Sequence, residues 1–235
     1  SECGGFLACS TALSSPVCYL PAKSCPDNCS GHGTCIAQNA QSGKPVASCY
    51  AGDSSCLASC KCDAPYNGAN CGTTEADLLQ KQAMRSTFVE AMANVIEFDD
   101  IDDADMEALA AFSDGLSAIA QNAFELSETS AKLTISIANS VLETASGLVD
   151  FAFEQASGTL SAISNAVTAL TRMSGENSIP CNDEVIDTIS EYMATVGSQM
   201  AVGEKAVDVI QDNFRLSVGR DLRGMKIALD CAQAA

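Results

Sequence analysis

Cys25-x3-Cys29-x5-Cys35 and Cys60-x-Cys62-x8-Cys71 place six cysteines at short, uneven intervals within residues 25–71. The first run closes as Cys29-Ser30-Gly31-His32-Gly33-Thr34-Cys35. The second reads Cys60-Lys61-Cys62-Asp63-Ala64-Pro65-Tyr66-Asn67-Gly68-Ala69-Asn70-Cys71. Between the runs, residues 36–59 hold Cys49 and Cys56, and residues 1–24 hold Cys3, Cys9 and Cys18. Of the 13 cysteines only Cys181 and Cys231 lie outside this region. Gly, Pro and Asn fill the spaces, so the segment cannot build much apolar core and must depend on cross-links. Cysteine at this density belongs to oxidising compartments, and the chain is expected to be secreted or on the cell surface.

The rest of the chain has a different composition. Of 235 residues 47% are hydrophobic, but aromatics are 5% and Trp is absent, so Ala, Val, Ile, Leu and Met must fill the core. The net charge of −18 falls almost entirely after residue 72. That sign repels phosphate backbones and anionic lipid, which excludes nucleic acid as a partner class. The opening Ser1-Glu2-Cys3-Gly4-Gly5-Phe6 has neither the basic nor the apolar region of a signal peptide, and a mature form is expected. The uncharged run Gln155–Thr171 is interrupted by Ser157, Ser161, Ser164, Asn165 and Thr168. It falls short of the ~20 apolar residues of a membrane span, so no membrane insertion is expected.

Residues 25–71 resemble an epidermal-growth-factor-like (EGF-like) module, because spacing and intervening residues agree together. The resemblance implies a small two-stranded hairpin and bridges Cys25–Cys35, Cys29–Cys60 and Cys62–Cys71. The insertion at 36–59 departs from the family pattern, and its Cys49 and Cys56 are paired with each other. Calcium-binding members carry acidic and amide residues just before the first cysteine. Here Leu20-Pro21-Ala22-Lys23-Ser24 supplies none, so no metal is expected. Thr34 occupies the family's O-fucose position, and Asn28-Cys29-Ser30 is formally an N-glycan acceptor, so both are candidate glycosylation sites. His32, the single histidine, is assigned a structural role.

Residues 75–235 show helical periodicity. The spacing predicts helices over about 75–98, 103–173 and 183–233. Leu78, Leu79, Ala83, Met84, Phe88, Met92, Val95 and Ile96 are placed on one side of the first. The second carries a heptad-like seam with a stutter near Val141. At 1.5 Å per residue these measure roughly 36, 105 and 75 Å, and the outer two together match the middle one. The expected fold is therefore a small disulfide-rich EGF-like module plus an all-α part, with long antiparallel helices forming an elongated coiled-coil-like rod. Gly115, Gly147, Gly158, Gly197, Gly203, Gly219 and Gly224 mark either breaks or close helix contacts. Ile135, Phe151, Val202 and Val218 are expected as exposed apolar flanks of the rod. On that geometry Cys231 returns to the start of the first helix and pairs with Cys3, Cys9 or Cys18, whose other two members pair together. Cys181, at the far turn, is left free or interchain, and Cys181–Cys231 is rejected as too distant.

Chemistry-bearing patterns are sparse. One histidine leaves no Ser-His-Asp arrangement, no zinc or phosphate-loop spacing occurs, and no cofactor is expected. The acidic cluster Asp99, Asp100, Asp102, Asp103, Asp105, Glu107 reads as a solvated turn and helix start, with calcium bridging between copies as the alternative. The basic stretch Arg215, Arg220, Arg223 and Lys226 would lie roughly 40–60 Å along the rod from that cluster. The leading expectation is not an enzyme but a structural subunit of an extracellular filament, coat or surface appendage, self-associating through its helices. EGF-like modules also recur in proteins of tubular flagellar hairs (mastigonemes), and the resemblance to those is confined to the module. The alternative is a secreted or cell-surface adhesion protein whose module meets extracellular protein or glycan partners.

Overall fold

The computed structural model describes residues 7–10, 17–40, 43–98, 101, 104–148, 153–174, 183–211 and 213–231. The chain divides into two compact units, the second beginning at Leu79, within the first turns of a helix.

The first unit is a disulfide-rich strand region. Strands β1 (Ala8–Ser10) and β2 (Val17–Tyr19) pair antiparallel, with Cys9 across from Cys18. A 3-10 segment, Pro26–Gly31, then leads into β3 (Gly33–Asn39). β4 (Cys56–Cys62) pairs antiparallel with β3 from Gly33↔Cys62 to Asn39↔Cys56. Thus both ends of the 36–59 insertion lengthen the hairpin. Its middle folds back on the preceding chain, where Lys23 donates to the carbonyls of Asp53 and Cys56 at 2.6 and 2.7 Å. Short strands β5 (Tyr66–Asn67) and β6 (Thr73–Thr74) close the unit. The core here is sulfur: Cys25, Cys29 and Cys71 are buried against Ala58, Cys60, Cys62 and Tyr66. Gly33 must stay small, since an ideal Cβ there would lie 2.6 Å from the Lys61 carbonyl and 2.8 Å from the Cys71 sulfur.

Helix α1 (Glu75–Phe98) has the expected bounds. Thr74 caps it, accepting from the Asp77 amide and donating to the Asp77 carboxylate. The continuous helix expected over 103–173 is replaced by α2 (Met106–Ala120), a 3-10 turn at Ala123–Glu125, α3 (Glu128–Ser146) and α4 (Phe153–Ser174). Each break has a local cause. Asp105, Asn122 and Ser127 accept the amides of Ala108, Phe124 and Ser130, offering new N-termini, and Gly147 ends α3. With three helices in place of one, the buried faces fold onto each other. α4 packs against both α2 and α3, and α3 packs against α5 (Asp183–Gln199).

The helix expected over 183–233 stops at Gln199. Beyond it β7 (Val207–Ile210), β8 (Phe214–Asp221) and β9 (Gly224–Cys231) form an antiparallel meander laid on α5. The reason is a period of two: Phe214, Leu216 and Val218 are buried on one face, while Arg215 is exposed on the other. Leu222-Arg223 make the two-residue turn between the paired Asp221 and Gly224. The elongated coiled-coil-like rod is therefore not the architecture. Val218, expected as an exposed flank, is fully buried, Ile135 packs against the core, and Val202 is exposed. Phe151 lies outside the described residues. The glycines divide between roles: Gly158 and Gly197 lie at close contacts, Gly147 at a helix end, Gly203 in a turn and Gly224 at the start of β9.

Candidate functional site

Among the described residues of the first unit the bridges Cys25–Cys35, Cys29–Cys60, Cys49–Cys56 and Cys62–Cys71 are formed, with Cα separations of 5.6, 5.5, 5.7 and 5.3 Å. They join the partners expected from the sequence. Cys25, Cys29 and Cys60 are the one cluster among the described residues whose donor atoms could share a metal. All three sulfurs are already in disulfides, so the cluster offers no thiolate. His32 stacks on Tyr66 with ring centroids 3.7 Å apart and an interplanar angle of 4°, bridging the start of β3 to β5. Asn28 and Thr34 are both exposed. Asn28 sits in a left-handed stretch with φ of 49°, and Thr34 pairs with Lys61 in the hairpin.

Cys18 is disulfide-bonded. Cys3 and Cys181 lie outside the described residues, and of Cys9 and Cys231 only the backbone is described. Cys231 ends a strand paired to Phe214 rather than a helix returning toward Glu75. The distance used to reject Cys181–Cys231 assumed a continuous helix and no longer applies. The spacing between the basic stretch and the acidic cluster falls with the rod as well. Asp99, Asp100, Asp102 and Asp103 are outside the described residues, and Asp105 serves as an N-cap. In the basic stretch, Arg220 donates to the carbonyls of Ser198 and Met200 at the end of α5, and Lys226 pairs with Asp221 at 2.6 Å. That hydrogen bond, followed by the Arg223 amide, holds the Asp221 carboxyl below its ordinary range.

The second unit contains two features that periodicity alone concealed. One is a polar junction. Arg85 of α1 reaches the carbonyls of Ala118 and Ile119 at the C-terminus of α2 and pairs with Glu125, Nε to Oε2 at 2.8 Å. Lys81 joins the same carboxylate at 3.1 Å. A cation at a helix C-terminus complements its exposed carbonyls. Burial is the largest single influence on Glu125 and opposes its ionisation. The hydrogen bonds from Arg85 and Lys81 together outweigh burial and lower its pKa below 4.5.

The other is the outer face of α1. The apolar residues assigned to one side in fact occupy different faces. Val89 is fully buried, and Met92, Ala93 and Ile96 pack against the core. Met84, Phe88 and Val95 instead point outward, with exposures of 55%, 55% and 43%. Beside them a largely apolar groove of about 320 Å³ runs between α1 and α2, lined by Met84, Phe88, Ala118 and Ile119 and bordered by Lys81, Arg85 and Glu125 of the junction. The spacing 84, 88, 91, 95 was the available signal, masked by an equally regular inner set. Among the described residues no helix is long and apolar enough to cross a membrane. No protein-family model matches the chain, and neither a curated protein nor a solved structure does.

Proposed function

We propose that this protein is a structural subunit of an extracellular assembly, a filament, coat or surface appendage, in which the helical unit self-associates and the disulfide module is displayed. The carrying observation is the outward row of Met84, Phe88 and Val95 on α1, a helix whose other face is already buried. An apolar row on a soluble chain marks a surface that is covered in the working state. The bridged N-terminal unit fits an oxidising, extracellular setting. Its cysteine spacing and bridge pattern favour reading it as EGF-like. Electron microscopy of the native material tests the proposal: ordered polymers support it, and discrete particles overturn it. A second reading, adhesion, is favoured by a groove of about 450 Å³ in the module, lined by Ile36, Pro45, Val46 and Tyr50 among others. It predicts particles that retain extracellular protein or glycan.

A further inference from the structure

The outer face of α1 has a geometry that identifies its occupant, on the premise that the protein self-associates. Met84, Phe88, Ala91 and Val95 follow one another at steps of four, three and four, the spacing of a seam that meets a second helix. All four are exposed. We propose that this seam is covered by the same seam of a second copy, the two α1 helices running antiparallel about a two-fold axis, with Phe88 opposite Ala91 and Met84 opposite Val95.

Size and charge both select this arrangement. In the antiparallel register each large side chain meets a small one, Phe88 against Ala91 on both sides of the axis. A parallel pairing would set Phe88 on Phe88 and leave a gap between two alanines, and both errors cost stability. Lys81, which shares the Glu125 carboxylate of its own copy with Arg85, continues the seam toward the N-terminus. In a parallel pair it would face Lys81 of the second copy, like charge on like. In the antiparallel pair it stands level with the C-terminal end of the other α1, where helix carbonyls and Glu97 make the local field negative. One flank of the seam, Gln80, Thr87 and Asn94, is polar and uncharged, and the charge on the other, Arg85, is already met by Glu125 of its own copy.

The contact is small. Residues 84–95 span about 17 Å of helix, less than a standard interface of about 1,200 Å² requires. The adjoining groove between α1 and α2 adds apolar surface. A dimer held by this contact alone is weak and concentration-dependent, while repeated contacts within an assembly reinforce one another.

The experiment is sedimentation velocity on the full chain from micromolar to millimolar concentration, with Phe88→Glu as the variant. Phe88 is more than half exposed, so the variant keeps the wild-type circular dichroism and melting profile. Wild type is expected to dimerise reversibly, and Phe88→Glu to weaken association by more than about tenfold. Orientation is read by a photo-crosslinking amino acid at Val95 with isotopically labelled partner chain. Cross-links to residues 81–88 of the labelled copy support the antiparallel register, and cross-links near residue 95 overturn it. Undiminished association of Phe88→Glu, or a wild type monomeric at every concentration, overturns the pairing. Polymers that form equally well from Phe88→Glu overturn the pairing but leave the structural-subunit reading intact. Discrete dimers sensitive to Phe88→Glu do the reverse.

Discussion

Gly158 of α4 lies directly on the backbone of Ser113 in α2: an ideal Cβ at position 158 would stand 2.6 Å from the Ser113 carbonyl oxygen. The Ser113 hydroxyl also accepts the Thr159 amide at 3.0 Å. Gly158→Ala gains about 1 kcal/mol in helix propensity, but the clash is with backbone and cannot rotate away. It should destabilise the second unit by about 2 kcal/mol or more. Gly115→Ala is the control, because its Cβ would meet only the terminal methyl of the flexible Met92 side chain at 2.9 Å. That variant should be neutral or stabilised by up to about 1 kcal/mol. Urea denaturation of both variants checks the contrast.

Glu125→Gln removes the charge that holds Arg85 and Lys81, and should cost about 1–3 kcal/mol at neutral pH. The folded pKa of Glu125 is lowered from 4.5, so its contribution is fully present above that value. It disappears as pH falls through the lower folded pKa. The gap between wild type and Glu125→Gln in urea midpoint should therefore be widest near neutrality and close in acid. A gap that persists unchanged in acid would assign the effect to packing instead.

Asn213, 4% exposed in the turn between β7 and β8, donates to the Ser164 carbonyl at 2.6 Å and to the Thr168 hydroxyl at 2.7 Å. It ties the meander to α4. Asn213→Ala should cost about 1–3 kcal/mol, and Asn213→Asp more, because a carboxylate would face a carbonyl with no donor. Hydrogen exchange should accelerate first at the β7 and β8 amides. Uniform acceleration throughout the unit would argue against a local tie.

The bridges should differ in worth with the loops they close. Cys29–Cys60 spans 31 residues and Cys49–Cys56 only 7. On loop entropy, their removal costs about 4 and about 2 kcal/mol respectively. Cys49→Ala with Cys56→Ala should leave a folded module with a loosened insertion. The Cys29/Cys60 double variant should abolish the module's dispersed amide resonances.

The bridges of the first unit were legible because residues 25–71 resemble an EGF-like module, whose pairing the resemblance carried over, with Cys49 and Cys56 left to each other. Helix α1 was legible because its apolar residues recur at helical spacing over Glu75–Phe98 without a break. The long second helix was not, because Asp105, Asn122 and Ser127 are ordinary surface residues until their side chains accept an amide. The meander was misread for a different reason. Val207, Ile210 and Phe214 fit a helical step, while the alternation Phe214, Leu216, Val218 that governs the structure spans only five residues. Tertiary packing against α5 decides between the two. The outer face of α1 was visible as apolar residues, but their division between core and solvent depends on where α2 lies.

The sulfur core of the first unit bears on how its surface can vary. Cys25, Cys29 and Cys71 are interior, while the side chains of Thr34 and Lys61 are exposed and add nothing to that core. A domain whose shape is held by half-cystines can exchange its outward residues almost freely, where a leucine core would resist each change.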